Sequence, residues 1–220
     1  MSDAIRVGLI GYGYASKTFH APLIGGTPGM ALTRVSSSEA GKVHADWPGV
    51  RVVSAAKDLL NDPDINLVVI ATPNDTHFPL AKAALEAGKH VVVDKPFTVT
   101  LSQARELESL AKHCGRVLSV FHNRRWDSDF LTVRALINEG QLGEVCYFES
   151  HFDRFRPQVR QRWREQGGPG SGIWYDLGPH LLDQAVVLFG LPVSITVDLA
   201  QLRPGAQSTD YFHAVLAYPQ

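Results

Sequence analysis

The sequence has little cysteine, no long apolar run and almost no net charge, and each absence narrows what it can be. Its two cysteines, Cys114 and Cys146, lie far apart. There is no CxxC pair and no spacing that could frame a disulfide scaffold, so the chain suits a reducing compartment. The apolar stretch near the start is broken by Gly8, Gly11 and Gly13 and has no cleavage-site pattern, so it does not read as a signal peptide. No segment approaches the roughly 18 apolar residues of a membrane span. Twenty-one Lys and Arg balance 22 Asp and Glu, a formal charge of -1, which gives no electrostatic pull toward nucleic acid or an anionic membrane. The cytoplasm is the expected location. Internal repeats and low-complexity tracts are also missing.

What is present is an alternation of short β-prone runs and helical segments. Residues 5–10, 30–36, 51–53, 67–71, 90–93 and 117–121 read as strands, and most are nearly continuous in apolar side chains. Such runs suit parallel strands buried on both faces. Helices are expected from about Ser16, over 55–61, over 76–87, and over 100–114 with Thr100 as N-cap and Gly115 as the stop. This predicts an α/β doubly wound sheet. Beyond it the pattern becomes α+β: a helix over 127–139, an alternating strand over 144–152, a polar Arg-rich loop, a helix over 179–189, and strands near 193–201 and 210–218. Two domains follow: 1–122, a dinucleotide-binding Rossmann domain, and 123–220, a substrate and oligomerisation domain with a mostly antiparallel sheet. One side of that sheet is unaccounted for, so the chain is expected to be truncated.

The first chemical signal is Gly11-Tyr12-Gly13-Tyr14-Ala15-Ser16. Gly11 suits a tight turn and Gly13 a backbone close to a pyrophosphate. Ser16 is a small residue at the third position, where a helix packs on the strand. The N-terminus of the following helix favours negative charge. The second strand ends in Ser36-Ser37-Ser38, where a carboxylate would select NAD. Hydroxyls at Ser36 and Ser37, with Arg34 and Lys42 nearby, favour NADP over NAD. Ligands in open α/β sheets bind beyond the carboxyl ends of strands. Pro73, Asn74 and His77 follow one such end and Lys95 another, so these residues are expected at the nicotinamide end of the crevice.

These motifs resemble those of the Gfo/Idh/MocA oxidoreductases. The glycine-rich turn, Asp94-Lys95-Pro96, and Gly170-Ser171-Gly172 through Asp176, His180 and Asp183 match the family's three motifs in order and spacing; Ser171 stands where the family has glycine. His122-Asn123-Arg124-Arg125-Trp126 and Trp163-Arg164 resemble the branch of NADP-preferring scyllo-inositol dehydrogenases. The resemblance implies that Lys95 touches the nicotinamide ribose and the substrate hydroxyl. It makes Asp176 and His180 the substrate-side pair, with His180 as acid/base, and has Asn123 and Arg164 shape the nicotinamide site. It further implies a sugar, polyol or inositol substrate and, for the full-length protein, a homo-oligomer (dimer or tetramer) built through the sheet.

Elementary chemistry agrees. Moving a hydride from a carbinol carbon requires the hydroxyl proton to leave, and an imidazole with an ordinary pKa of about 6.5 suits that task. An ammonium beside the oxygen would stabilise alkoxide character. Asp176, His180 and Asp183 could alternatively hold a metal, but no further ligand group accompanies them, so none is expected. The arginines from Arg154 to Arg164 are interrupted by acidic residues and read as a loop surface, not a nucleic-acid patch. Gly167 to Gly172 lacks the Lys-Ser/Thr of a phosphate-transfer loop. The alternative to an enzyme is an NADP(H)-binding sensor or an inactive fragment.

Overall fold

The computed structural model describes residues 4–219, which form two compact units that divide between Phe121 and His122.

In the first unit, β1 (Ile5–Ile10), β2 (Met30–Ser36), β3 (Arg51–Val53), β4 (Leu67–Ile70), β5 (His90–Asp94) and β6 (Leu118–Phe121) form one six-stranded sheet in the order β3-β2-β1-β4-β5-β6. Every pairing in it is parallel. Successive residues of a strand point to opposite faces, and here each face meets its own core. Val7, Leu9, Val35 and Val69 pack with Ile24 and Val43 on one side. Ile10, Val68, Ile70, Val91 and Val93 pack with Leu59, Leu85 and Leu107 on the other. Strands of this kind cannot alternate with polar residues, which is why the sequence shows unbroken apolar runs. Burying each of Leu9, Leu59, Leu85 and Leu107 completely contributes roughly 1.5–3 kcal/mol. Gly8 belongs to this packing, because a Cβ there would lie 2.6 Å from Leu59 Cδ2.

The helices are α1 (Ala21–Gly26), α2 (Ala40–Asp46), α3 (Ala56–Leu60), α4 (His77–Glu86) and α5 (Leu101–Cys114). A π-helical turn, Ser16–His20, leads into α1. Thr100 caps α5 with a full capping box to Gln103, and Gly115 closes it in the left-handed conformation at φ 61°. α2 has no counterpart in the sequence reading. It carries Gly41 in its first turn and buries only Val43, so it lacks the apolar stripe that marks a helix.

The second unit holds α6 (Ser128–Asn138), α7 (Gly172–Phe189) and an antiparallel pair, β7 (Ser194–Ala200) with β8 (Tyr211–Ala217). Two expectations are corrected. Residues 144–152 form no strand; no ladder reaches them among the described residues, and alternation without a neighbouring strand does not make a sheet. α7 begins at Gly172, seven residues before the expected start at 179, because Pro179 sits inside the helix and does not break it. Gly172 explains part of the glycine motif. Its φ is 86°, and a Cβ would come within 2.9 Å of the Thr209 carbonyl oxygen, while the next residue, Ile173, donates its N–H to that oxygen at 2.7 Å.

Candidate active site

The first unit builds a turn suited to a dinucleotide. Gly11 follows β1 with φ 89°, and a Cβ there would lie 2.5 Å from the Ala71 carbonyl oxygen, so no other residue fits. Its N–H donates to Ser36 O at 2.9 Å. Ser16, fully buried, donates its hydroxyl to Gly11 O at 2.9 Å and locks the turn to the helix behind it. Gly13 differs: nothing lies within 4 Å of where its Cβ would be. That open space faces a backbone free of side chain, at a helix start whose first N–H groups have no intrahelical acceptor. These are the features a pyrophosphate needs, and a nicotinamide dinucleotide fits them.

Where the ribose is expected, Ser36 is buried at the end of β2 and Ser37 is half-buried, its Oγ accepting the Glu39 N–H at 3.1 Å. The cations expected to assist are both engaged by carboxylates. Arg34 is ion-paired with buried Asp62, and Lys42 lies 2.6 Å from Glu39. Beside the glycine turn, Tyr12 Oη donates to Asp46 at 3.0 Å and Lys17 pairs with the same carboxylate at 2.9 Å. Partial burial and the Asp46 carboxylate push the Tyr12 hydroxyl up to about 12.

At the exits of β4 and β5 the expected residues differ in exposure. Pro73 is exposed, Asn74 is buried at the start of a 3-10 turn, and Lys95 is half-buried. His77, expected to face the nicotinamide, is only 1% exposed. Its Nδ1 lies 2.8 Å from Pro96 O and its Nε2 3.0 Å from Thr72 O. The buried ring thus sits between a carbonyl of each loop and, as a neutral imidazole, donates its one N–H to one of them. Asp94, at the end of β5, accepts the Lys95 N–H at 2.9 Å. Burial works against its ionisation, but the His20 imidazole, the Lys95 N–H and the Lys95 charge together hold its carboxyl below the usual carboxylate range. His20 escaped the sequence reading altogether.

The second unit carries the acid/base candidates on one helix. Asp176 and His180 both belong to α7, four residues apart and so one turn from each other on the same face. His180 is buried at 6% exposure, with the Phe152 ring 6.5 Å away, edge-on. Arg164 Nε approaches Asp176 Oδ1 at 3.7 Å, and its guanidinium lies over the Trp163 ring at 4.8 Å. The structure thus brings together Arg164 and Asp176, which the sequence could only name separately. Asn123 opens a 3-10 turn, Asn123–Trp126, tied to α7 at two points: Arg125 holds Asp183, and Gln184 donates to Arg124 O at 3.1 Å. Asp183, considered as a metal ligand, has both oxygens engaged by Arg125. No group of three or more metal-ligating side chains exists among the described residues. Nor is any helix there long and apolar enough to cross a membrane.

A six-stranded parallel sheet with a glycine turn between its first strand and a helix defines a dinucleotide-binding Rossmann fold. Residues 5–122 match the oxidoreductase family with an NAD-binding Rossmann fold, and residues 130–220 match the GFO/IDH/MocA C-terminal domain. The chain belongs to the GFO/IDH/MocA family. It is 82% identical to the uncharacterised oxidoreductase YdgJ of Escherichia coli over its whole length, covering 64% of that protein. It is 41% identical to IolW of Bacillus subtilis, a scyllo-inositol 2-dehydrogenase (NADP(+)), over 98% of this chain and 60% of that one. Among solved structures, the oxidoreductase YvaA of Bacillus subtilis superposes with a TM-score of 0.96 at 40% identity, over all of this chain and 63% of that one. A biliverdin reductase from Synechocystis, solved with biliverdin and NADP+, does so at 0.82 and 29%, over 97% of this chain and 68% of that one. The chain therefore spans a little under two thirds of the length of YdgJ and IolW.

Proposed function

We propose that the protein is an NADP-preferring dehydrogenase that transfers a hydride between the nicotinamide and a secondary hydroxyl of a sugar, polyol or inositol. The observation that carries this reading is the placement of Asp176 and buried His180 one turn apart on α7. When bound, the nicotinamide supplies the hydride chemistry. The protein handles the proton. His180 takes it from the carbinol hydroxyl as general base and returns it in the reverse direction. Asp176, steadied by Arg164, biases the imidazole toward the charged form that accepting the proton creates. The Lys95 ammonium stabilises alkoxide character on the reacting oxygen.

Gly11, Gly13 and Ser16 hold the pyrophosphate, Ser36 and Ser37 the adenosine ribose. For the nicotinamide end the proposal takes Pro73, Asn74 and Lys95 from the first unit, with His77 supporting their loops, and Asn123 and Arg164 from the second. The NADP preference rests on hydroxyls at Ser36 and Ser37 and on the cofactors named for IolW and the Synechocystis reductase. With Arg34 and Lys42 already paired, it is weaker than free cations there would make it. Work in the cytoplasm and assembly into dimers or tetramers complete the proposal.

Calorimetric titration with NADPH and, separately, NADH tests it. The reading expects NADPH to bind the more tightly. NADH binding alone would reverse the preference, and no binding of either would remove the dinucleotide assignment.

A further inference from the structure

His20 occupies an unusual place in the first unit. It ends the π-helical turn that follows the glycine-rich loop, yet its ring is turned inward and only 3% exposed. It packs against Phe121 of β6, with centroids 4.2 Å apart and ring planes tilted by 44°. Phe121 is the register partner of Asp94, so the ring lies against the strand pair whose end bears Lys95. Its buried Nε2 has no partner at hydrogen-bonding distance, and Asp94 Oδ1 lies 3.7 Å away. Asp94 is itself 9% exposed, and the same Oδ1 accepts the Lys95 N–H at 2.9 Å.

A buried carboxylate is costly unless opposite charge or donors surround it. On this carboxylate the groups in reach are the His20 ring, the Lys95 N–H and the Lys95 charge. The oxygen that accepts the Lys95 N–H, Oδ1, is also the one that faces His20 Nε2 at 3.7 Å, so the ring bears on the very atom that holds the Lys95 backbone.

We propose that His20 is a positioning residue: from the helix behind the glycine-rich turn it steadies the Asp94 carboxylate and, through Asp94, the backbone of Lys95. Its catalytic consequence rests on the reading of Lys95 as the group at the reacting oxygen. The contact joins the segment that grips the pyrophosphate to the segment that carries the ammonium, so the two are set by one buried pair.

Amide hydrogen exchange on the whole chain, read by NMR at Lys95 with Val69 of β4 as internal reference, is the test. His20→Phe keeps the ring on Phe121 and removes the nitrogens. It should speed exchange at Lys95 about tenfold relative to Val69. His20→Gln, which restores a donor, should bring the ratio back to within about threefold of the parent. Asp94→Asn keeps an acceptor for the Lys95 N–H, so Lys95 should stay protected while the His20 ring nitrogens shift. An unchanged ratio in His20→Phe, or acceleration shared equally by Val69, overturns the proposal. Should His20→Phe fail to fold, unmoved His20 nitrogens in Asp94→Asn overturn it instead. A fully active Lys95→Ala enzyme beside a loosened Lys95 amide in His20→Phe would sink the catalytic reading and leave the positioning role standing.

Discussion

Arg125 grips Asp183 with both arms of its guanidinium, Nε to Oδ2 at 2.7 Å and Nη2 to Oδ1 at 2.5 Å. The family motif's last acidic residue is thereby a tether between α7 and the turn that presents Asn123. The Asp183 side chain is 11% exposed and Arg125 46%, so removing the arginine takes both close donors from a mostly buried carboxylate and leaves His122 Nδ1 3.7 Å from its Oδ1. Allowing for solvent around Arg125, Arg125→Ala should cost about 2 kcal/mol in urea unfolding followed by tryptophan fluorescence. Arg125→Lys should recover less than half of that, because a point charge cannot reproduce the fork.

The two turn glycines should separate folding from binding. Gly11→Ala forces a Cβ onto the Ala71 carbonyl oxygen at φ 89°, and should lower stability by about 2 kcal/mol or more. Gly13→Ala meets nothing in the protein. Its thermal midpoint should be unchanged or slightly raised, while its NADPH dissociation constant rises by about tenfold, because the methyl enters the space expected for the pyrophosphate. Equal NADPH affinity in Gly13→Ala would place the cofactor elsewhere.

In the full-length protein, with NADP+ and a panel of polyols, His180→Ala should reduce turnover by about 10²–10⁴-fold. Lys95→Ala should reduce it by about 10²–10³-fold. Parent-like rates in both variants would dismantle the proposed chemistry, whichever substrate is turned over.

Acid should loosen the Arg-rich loop. Buried Glu165 accepts the Arg160 N–H at 2.9 Å and pairs with Arg162 at 2.7 Å and Arg203 at 3.1 Å. Burial opposes its ionisation, but these donors hold its carboxyl below the ordinary 4.5. A carboxyl depressed in the fold stabilises above its unfolded pKa, and that stability is lost as pH falls through the folded value. Glu165→Gln should therefore cost about 2 kcal/mol at pH 7, after discounting the partly exposed arginines. It should also flatten the decline of unfolding free energy below about pH 4.5. A slope as steep as the parent's would assign the acid sensitivity to other carboxylates.

The sheet was readable because its cause is local: each buried strand writes an apolar run into the sequence. The glycine turn was readable for the same reason, since Gly11, Gly13 and Ser16 act within one loop. Pairings across the chain were not. His20 meets Asp94 and Arg125 meets Asp183 over long separations that no periodicity reports, and Arg34 could not be seen to be spent on Asp62. Residues 144–152 misled because alternation describes a side-chain pattern, whereas a strand also needs a neighbour. The sequence reading starts α7 at 179, whereas the helix begins at Gly172 and carries Pro179 inside it.

The strand order has a consequence in time. β1 is flanked by β2 and β4, so one of its edges finds its partner only when residues 67–70 have been made. At roughly 5–20 residues per second of synthesis, Val7 to Ile10 spend several seconds with an unfilled edge. The apolar runs that make the finished sheet secure are, on the nascent chain, the stretch most in need of protection from other chains.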